Sequence, residues 1–448
     1  MLQSYLETWL KKEGVSSNRR RVIQNLYWAV LGKCVTIFSE LLVGVMIART
    51  LGPERFGLMN YVISLVMLFS VFAHFGLDGI EIRELSRADA PKGKILGTAM
   101  MLRGLCALFT VIAVFFTLLR FESDPETFQL VMLYALSLLA SPFVTLRNYF
   151  TSIIRHEYVV KSEMLRTVLG AGIKLLVLRF SPTLLFLVAA FTLDFFLVGF
   201  GYFFAYKRKA ESGIGRLSLD QTLAAALLRG AFPLLLSAAA IVFYQRINAI
   251  MLRHLLDDSA VGQFAVAAKL TQFTLFIPII LAQSITPLLV KAHSDDPAVY
   301  TRKRQEFMDW MVWTGLLLSA MTSLAAAPVI SILYGTAYLP AIPVLQIMAW
   351  KIVFVALTNA SGQIMIIENI HQYAVYRNVL GVVISIVGNW LMIPVFGAVG
   401  SAAVTVVTFL VAGFLAHVIT LIYRPIFFIQ LKSFSKGFIR IYLNYLKF

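Results

Sequence analysis

An all-α integral membrane protein, with twelve transmembrane helices in two six-helix lobes related by pseudo-two-fold symmetry, is the fold class that three features of this chain predict. The first is composition: of 448 residues, 59% are hydrophobic and 14% charged, with mean hydropathy +0.80. Soluble domains carry about a quarter charged residues, and one globule cannot bury this much apolar surface, so lipid is the expected solvent. The second is spacing: twelve apolar runs approach the roughly 20 residues that a spanning helix needs. The third is the sorting of Lys and Arg into alternate loops.

Residues 1–22 open polar and show no cleavable leader pattern. Leu2, Tyr5, Leu6, Trp9 and Leu10 recur at helical spacing and predict a short cytoplasmic interfacial helix leading into Arg19, Arg20 and Arg21. The N-lobe, 23–206, holds runs at 24–47, 58–80, 95–118, 128–146, 164–178 and 183–205; the fifth is short and carries Arg166 and Lys174. A polar cytoplasmic linker, 207–222, follows. The C-lobe, 223–423, holds runs at 231–252, 260–285, 310–333, 341–367, 373–394 and 398–422. Shifting the chain by 205 positions lays Leu51…Gly57 on Leu256…Gly262, a faint repeat of the kind that transporter halves show. In the tail, 424–448, Lys432, Lys436 and Arg440 recur every fourth residue while Phe434, Phe438, Ile441 and Tyr445 mark another face. That pattern predicts a helix on the anionic cytoplasmic surface.

With the N-terminus inside, the inner segments hold 26 of the 39 Lys and Arg residues, and the outer loops only Arg49, Arg55, Arg120, Arg179 and Arg253. Twelve spans thus satisfy the positive-inside rule with both termini cytoplasmic. The net charge of +16 is scattered among loops rather than gathered in a patch, so nucleic acid is not an expected partner.

Eight basic residues remain in the spans: Lys33, Arg103, Arg166, Lys174, Arg229, Arg246, Lys269 and Lys351; the acids there are Glu40, Asp78 and Asp194. A charge in hydrocarbon costs about 2.5–3.5 kcal/mol on insertion scales, so it faces a partner or a wet cavity. Arg166 and Arg229 can snorkel to the interface. At 1.5 Å per residue, Lys33, Arg103, Lys269 and Lys351 fall roughly 12–16 Å from their entry points, near the midplane. Lys33, Arg246, Lys269 and Lys351 are the candidate binding residues, because Lys and Arg in a chamber shared between the lobes suit a phosphate or pyrophosphate. Glu40, Asp78, Arg103 and Asp194 are candidates for ion pairing or coupling, with Asp194 equally able to pair with Lys174 or Arg103.

No catalytic or metal-ligand pattern is present. Cys34 and Cys106 both lie in apolar runs, and there is no phosphate loop, zinc-protease helix or nucleophile elbow. All outer loops are short, so neither an enzyme nor a cofactor is expected.

Ala48-Arg49-Thr50-Leu51-Gly52-Pro53-Glu54-Arg55-Phe56-Gly57, closing the first span, resembles a recurrent pattern of the Wzx-type O-antigen and oligosaccharide flippases, within the multidrug/oligosaccharidyl-lipid/polysaccharide (MOP) superfamily. Val261-Gly262-Gln263-Phe264-Ala265-Val266-Ala267-Ala268-Lys269-Leu270 is similar to their eighth-helix opening, and Phe396-Gly397-Ala398-Val399-Gly400-Ser401-Ala402-Ala403 to the start of their last helix. Gly76-Leu77-Asp78 followed by Arg83-Glu84-Leu85 also fits. The resemblance covers nearly the whole chain. It implies two lobes in a V, alternating access, and an undecaprenyl-pyrophosphate-linked oligosaccharide carried across a bacterial inner membrane. Membrane lipids and polysaccharide polymerase or assembly proteins are the implied partners. One departure is Gln245, where that family often has an acid before the arginine, here Arg246. A cation-coupled multidrug exporter is the first alternative, although its cavity should be acidic; a membrane enzyme or scaffold of glycan assembly is the second.

Overall fold

Lipid offers the backbone no hydrogen bonds, so every spanning segment must satisfy its own N–H and C=O groups, and helices do so. The computed structural model describes residues 17–209, 217–370 and 374–445, with side chains from Val35 onward except 374–375 and 442–445; among these residues there are helices and no strand. The interfacial helix expected over 1–22 therefore falls, through residue 16, outside the described residues, as do 210–216 of the linker and 446–448 of the tail.

In chain order the helices are α1 (Ser17–His74), α2 (Leu77–Leu85), α3 (Lys92–Phe121), α4 (Pro125–Ala135), α5 (Pro142–Ser152), α6 (His156–Phe180), α7 (Leu184–Lys209) and α8 (Gln221–Leu255). There follow α9 (Asp258–Thr274), α10 (Phe276–Asp295), α11 (Pro297–Leu324), α12 (Ala326–Leu333), α13 (Ala341–Met348), α14 (Lys351–Ile367), α15 (Ala374–Leu410), α16 (Ala416–Ile419) and α17 (Arg424–Tyr445).

Eight helical stretches among the described residues are long and apolar enough to cross a membrane, and α11 with α12, bent by 57°, makes a ninth. Two of the nine hold two passes each. α1 has 58 residues; unbroken it would reach about 87 Å, nearly three hydrocarbon cores, but Gly52 interrupts it at φ 73°, ψ 173°. α15 breaks likewise at Gly397, φ 61°. An L side chain is strained at such angles, so glycine is the residue that permits each break. The twelfth pass is α6, whose Lys161, Glu163, Arg166 and Lys174 depress its hydropathy although its 25 residues reach about 37 Å. Interruptions at Ser141, Leu275 and Ala325 each come one to three residues before a proline (Pro142, Pro278, Pro328), which lacks the donor that would carry the helix across.

Contacts group the chain into two compact units, Met1–Gly44 with Phe69–Leu235, and Val45–Leu68 with Leu236–Phe448. In the first, Leu85, Leu96, Leu146, Tyr149, Phe150 and Tyr202 form one buried cluster, and Leu77, Ala99, Leu227 and Ala231 another. The end of the linker is fixed here. The Asp220 carboxylate caps α8 by accepting from Thr222 and Leu223, its N–H donates to Thr98 Oγ1 at 3.1 Å, and Lys94 lies 3.9 Å away.

In the second unit the repeat becomes a reciprocal contact. A Cβ on Gly57 would fall on the carbonyl of Asp258 and lie 2.9 Å from the Gly262 nitrogen; a Cβ on Gly262 would fall on the carbonyl of Pro53. Positions 53 and 57 are thus set against 258 and 262, the pairs that the 205-residue shift relates. Around them the Tyr338 hydroxyl donates to Ala48 O at 2.9 Å, Phe56 meets Tyr338 edge-on, and Gln263 Nε2 donates to Ala337 O at 2.9 Å.

The C-terminal helix α17 does not stand alone. Tyr423, Ile426, Ile429, Gln430 and Ser433 are buried, while Phe428, Leu431, Lys432, Lys436 and Phe438 are exposed. The buried stripe packs on α11. Gln305 bonds Ile429 and Ser433, Asp309 bonds Ser433 and Arg440, and Trp313 meets Phe438, so the two helices run parallel. Asp309, fully buried, accepts both Arg440 Nε and Nη2 at 2.7 Å and Ser433 Oγ at 2.6 Å. Charge-assisted bonds of this kind are worth about 1.5–3 kcal/mol each. Asp309→Asn is therefore expected to raise the rate of tryptic cleavage after Lys432 and Lys436 roughly tenfold or more by freeing α17. Timed proteolysis of the purified protein checks this, and unchanged cleavage would show that Asp309 does not hold the helix.

Candidate functional site

Arg103 shows how this chain treats a charge that it means to neutralise. It is fully buried; Nε donates to Glu81 Oε1 at 2.7 Å and Nη2 to Asp78 Oδ1 at 2.6 Å. Asn148 Nδ2 ties the two acids together, donating to Asp78 Oδ1 at 3.0 Å and to Glu81 Oε2 at 2.8 Å. Glu81 corrects the inventory of three intramembrane acids. The run at 58–80 stops one residue short of it, but after Gly76 the chain turns into α2, whose buried face carries Leu77, Ile80, Glu81 and Leu85. Neither Glu81 nor Asn148 is singled out by hydropathy. The spacing of Asp78 and Glu81, three apart on one helix face, was the available signal.

The other candidates for pairing lie in the same unit. Lys174 donates to Asp194, and its ammonium also sits 4.3 Å from the centroid of the Phe191 ring. Between Lys174 and Arg103, the two possible partners of Asp194, the structure selects Lys174. Gly170 makes room for that pair, since a Cβ there would strike the Asp194 carboxylate. Glu40 is largely exposed and lies 4.0 Å from Arg166. Lys33 is on α1, and its side chain lies outside the described residues.

The remaining candidates belong to the second unit. Lys269 Nζ lies 4.9 Å from the centroid of the Phe56 ring, beside the Gly57 contact. Lys351 opens α14, two residues after the chain leaves α13, and is half-buried. Among the described residues the one charge acting on it is the like charge of Arg246 on α8. Arg246 is also half-buried. The structure therefore makes Arg246 the charge acting on Lys351, pairs Arg103 with Asp78 and Glu81, and pairs Asp194 with Lys174.

These two treatments of charge differ in chemical consequence. Arg103 is neutralised by two carboxylates, through Nε and Nη2, and can hold helices together. Among the described residues Lys351 has only the like charge of Arg246 acting on it, which an anion beside Lys351 would offset; phosphate oxygens accept readily from lysine and arginine.

Comparison with known proteins agrees with this architecture. The profile of the family described as "Polysaccharide biosynthesis protein" matches residues 22–293. No curated protein matches the chain. Among solved structures, the chain is similar to an inward-facing multidrug resistance MATE family transporter of the MOP superfamily, at 15% identity over 91% of this chain and 95% of that one, TM-score 0.66. It is equally similar to the lipid II flippase MurJ in an inward closed conformation, at 13% identity over 94% and 93%, TM-score 0.66. A MOP superfamily transporter from Pyrococcus furiosus, described by the reverse polarity of its binding pocket, matches at 14% identity over 94% and 95%, TM-score 0.57. At these identities the likeness establishes the fold, an all-α membrane transporter fold with twelve spans in two lobes, as the sequence predicts.

Proposed function

Since this multi-pass membrane protein belongs to the polysaccharide biosynthesis protein family, we propose that it is a flippase that moves an undecaprenyl-pyrophosphate-linked oligosaccharide from the cytoplasmic to the outer leaflet of a bacterial inner membrane, with both termini cytoplasmic. The observation that carries this reading is that Lys351, half-buried at the start of α14, feels the like charge of the half-buried Arg246 on α8 and, among the described residues, no opposing carboxylate. In this reading these two cations take the pyrophosphate, with Lys269 as a further cationic contact, while the sugar stays in the wet interior and the polyprenyl tail in lipid. Glu40, Asp78, Arg103 and Asp194 then serve as ion-pair partners rather than as cargo ligands. Headgroup binding favours closure toward the cytoplasm and reopening outward, the alternating access of transporters.

A cation-coupled drug exporter shares the fold, and the fold does not choose between them. The polarity of the site favours an anion: a drug cation would meet Arg246 and Lys351 as like charges. Arg246→Gln with Lys351→Gln should leave the protein at normal abundance in the membrane and reduce glycan export to background, read as surface polysaccharide in the producing cell. Normal export by that double variant would remove the headgroup site from this account.

A further inference from the structure

Arg377, on α15 in the second unit, is oriented by a neutral side chain. Gln430, buried on α17, donates from Nε2 to Ser361 Oγ at 2.9 Å and to Gly413 O at 3.0 Å. With its nitrogen committed to two acceptors, Gln430 presents Oε1 to His417 Nδ1, 3.1 Å away. Nδ1 therefore carries the ring proton, and Nε2 keeps its lone pair. Arg377 Nη1 lies 3.5 Å from that nitrogen and donates to it. The fully buried His417 thus aims a guanidinium by a neutral contact. A carboxylate in its place, as at Arg103, would have cancelled the charge.

The frame around this relay is built rather than incidental. Gly413 lies in a π-helical turn, 411–415, and a Cβ there would collide with Thr358 and come within 2.9 Å of Phe354 O on α14. Such turns expose a carbonyl and gather at functional sites. Among the described residues, the ionisable side chains around Arg377 are His417 and the hydroxyls of Tyr244 and Tyr423, with no carboxylate. An oriented, half-buried arginine so placed is complete only when it meets an anion.

Its depth is fixed by two bonds. Asn378 Nδ2 donates to Ser237 Oγ at 3.1 Å and Asn389 Nδ2 to Asn248 Oδ1 at 2.6 Å, each eleven residues further along both helices. α8 and α15 therefore run parallel in register. Arg246, nine residues past Ser237, lies about 14 Å beyond the level of Arg377. Arg377 is at the end where α8 begins, the end that the Lys and Arg distribution assigns to the cytoplasm.

We propose that Arg377, held by the positioning residues His417 and Gln430, is a second anion subsite that takes the phosphate or pyrophosphate of a lipid headgroup at the cytoplasmic end of the span, before Arg246 and Lys351. This deepens the flippase reading and rests on it for the order of the two subsites. The headgroup can belong to a polyprenyl pyrophosphate or to a bilayer phospholipid, and the test separates these.

Farnesyl pyrophosphate is titrated calorimetrically into the full-length protein in phosphatidylcholine nanodiscs. Two classes of site are expected in the unaltered protein. Arg377→Gln should remove one class and Lys351→Gln the other. Gln430→Leu should weaken only the Arg377-dependent class, roughly tenfold, because it frees the histidine that aims the arginine. Arg377→Lys, which keeps the charge, should retain that class at reduced affinity and guards against a folding defect. If Arg377→Gln binds as the unaltered protein does, the second subsite is refuted whatever Lys351→Gln does. If Lys351→Gln changes nothing while Arg377→Gln removes a class, this subsite stands and the Arg246–Lys351 reading falls. Repeating the titration in phosphatidylglycerol nanodiscs identifies the occupant: silencing of the Arg377 class means a bilayer headgroup fills it, and persistence means that it selects the pyrophosphate.

Discussion

Gly57→Ala is expected to destabilise the folded protein by about 1–3 kcal/mol or more, read as a lowered unfolding temperature in detergent. The added methyl group would fall on the Asp258 carbonyl and near the Gly262 nitrogen, and both are backbone, which cannot rotate away. The two chain segments would have to part, taking with them the Tyr338–Ala48 and Gln263–Ala337 bonds. Gly262→Ala should do the same from the other side, because Pro53 O blocks it. Gly362→Ala is the control. It lies within α14 with open space around it, so alanine there should be neutral or stabilise by about 0.5–1 kcal/mol through helix propensity. Equal stability of all three variants would mean that the glycine contact is not a constraint on the fold.

Glu81→Ala carries the second large effect. It leaves Arg103 fully buried with half of its counter-charge gone, and breaking a buried ion pair from one side costs about 3–5 kcal/mol. Asp78 compensates poorly, since its side chain is 48% exposed and partly solvated. Replacing both partners, as Glu81→Leu with Arg103→Met, should recover most of the loss, because apolar residues of similar volume substitute well for a buried pair. Denaturant titration of the two variants provides the comparison. If the single change is no worse than the double one, the Arg103 network is not the neutralised pair described here.

The fold was legible because lipid imposes it: twelve apolar runs and the separation of Lys and Arg depend on composition at a scale that local detail cannot disturb. The glycines were legible as motif positions, and only the structure gave the reason, a backbone against a backbone at Gly57 and Gly262. The candidate site was legible in part. Hydropathy finds a charge inside a run, which located Arg246 and Lys351, but it cannot see which charges face each other. Glu81 was lost because α2 continues past the apolar stretch. Arg377 lies in the opening turn of the run at 373–394, where it counts with the inner-segment cations, and its orientation depends on His417 and Gln430, which hydropathy does not reveal. Asp309 and Gln430 lie at polar ends of segments, and their importance comes from α17 packing on α11 through Asp309 and on α14 through Gln430, tertiary contacts that no periodicity encodes.

The central claim is tested most directly by following a lipid-linked glycan across a bilayer. The protein is reconstituted into proteoliposomes carrying a polyprenyl-pyrophosphate oligosaccharide in both leaflets, and a membrane-impermeant glycosidase is added outside. The account predicts that the inner-leaflet glycan becomes cleavable at a rate that scales with the protein and falls to the protein-free rate in the Arg246→Gln, Lys351→Gln variant. Cleavage that stops at the outer-leaflet fraction with the unaltered protein present would contradict it.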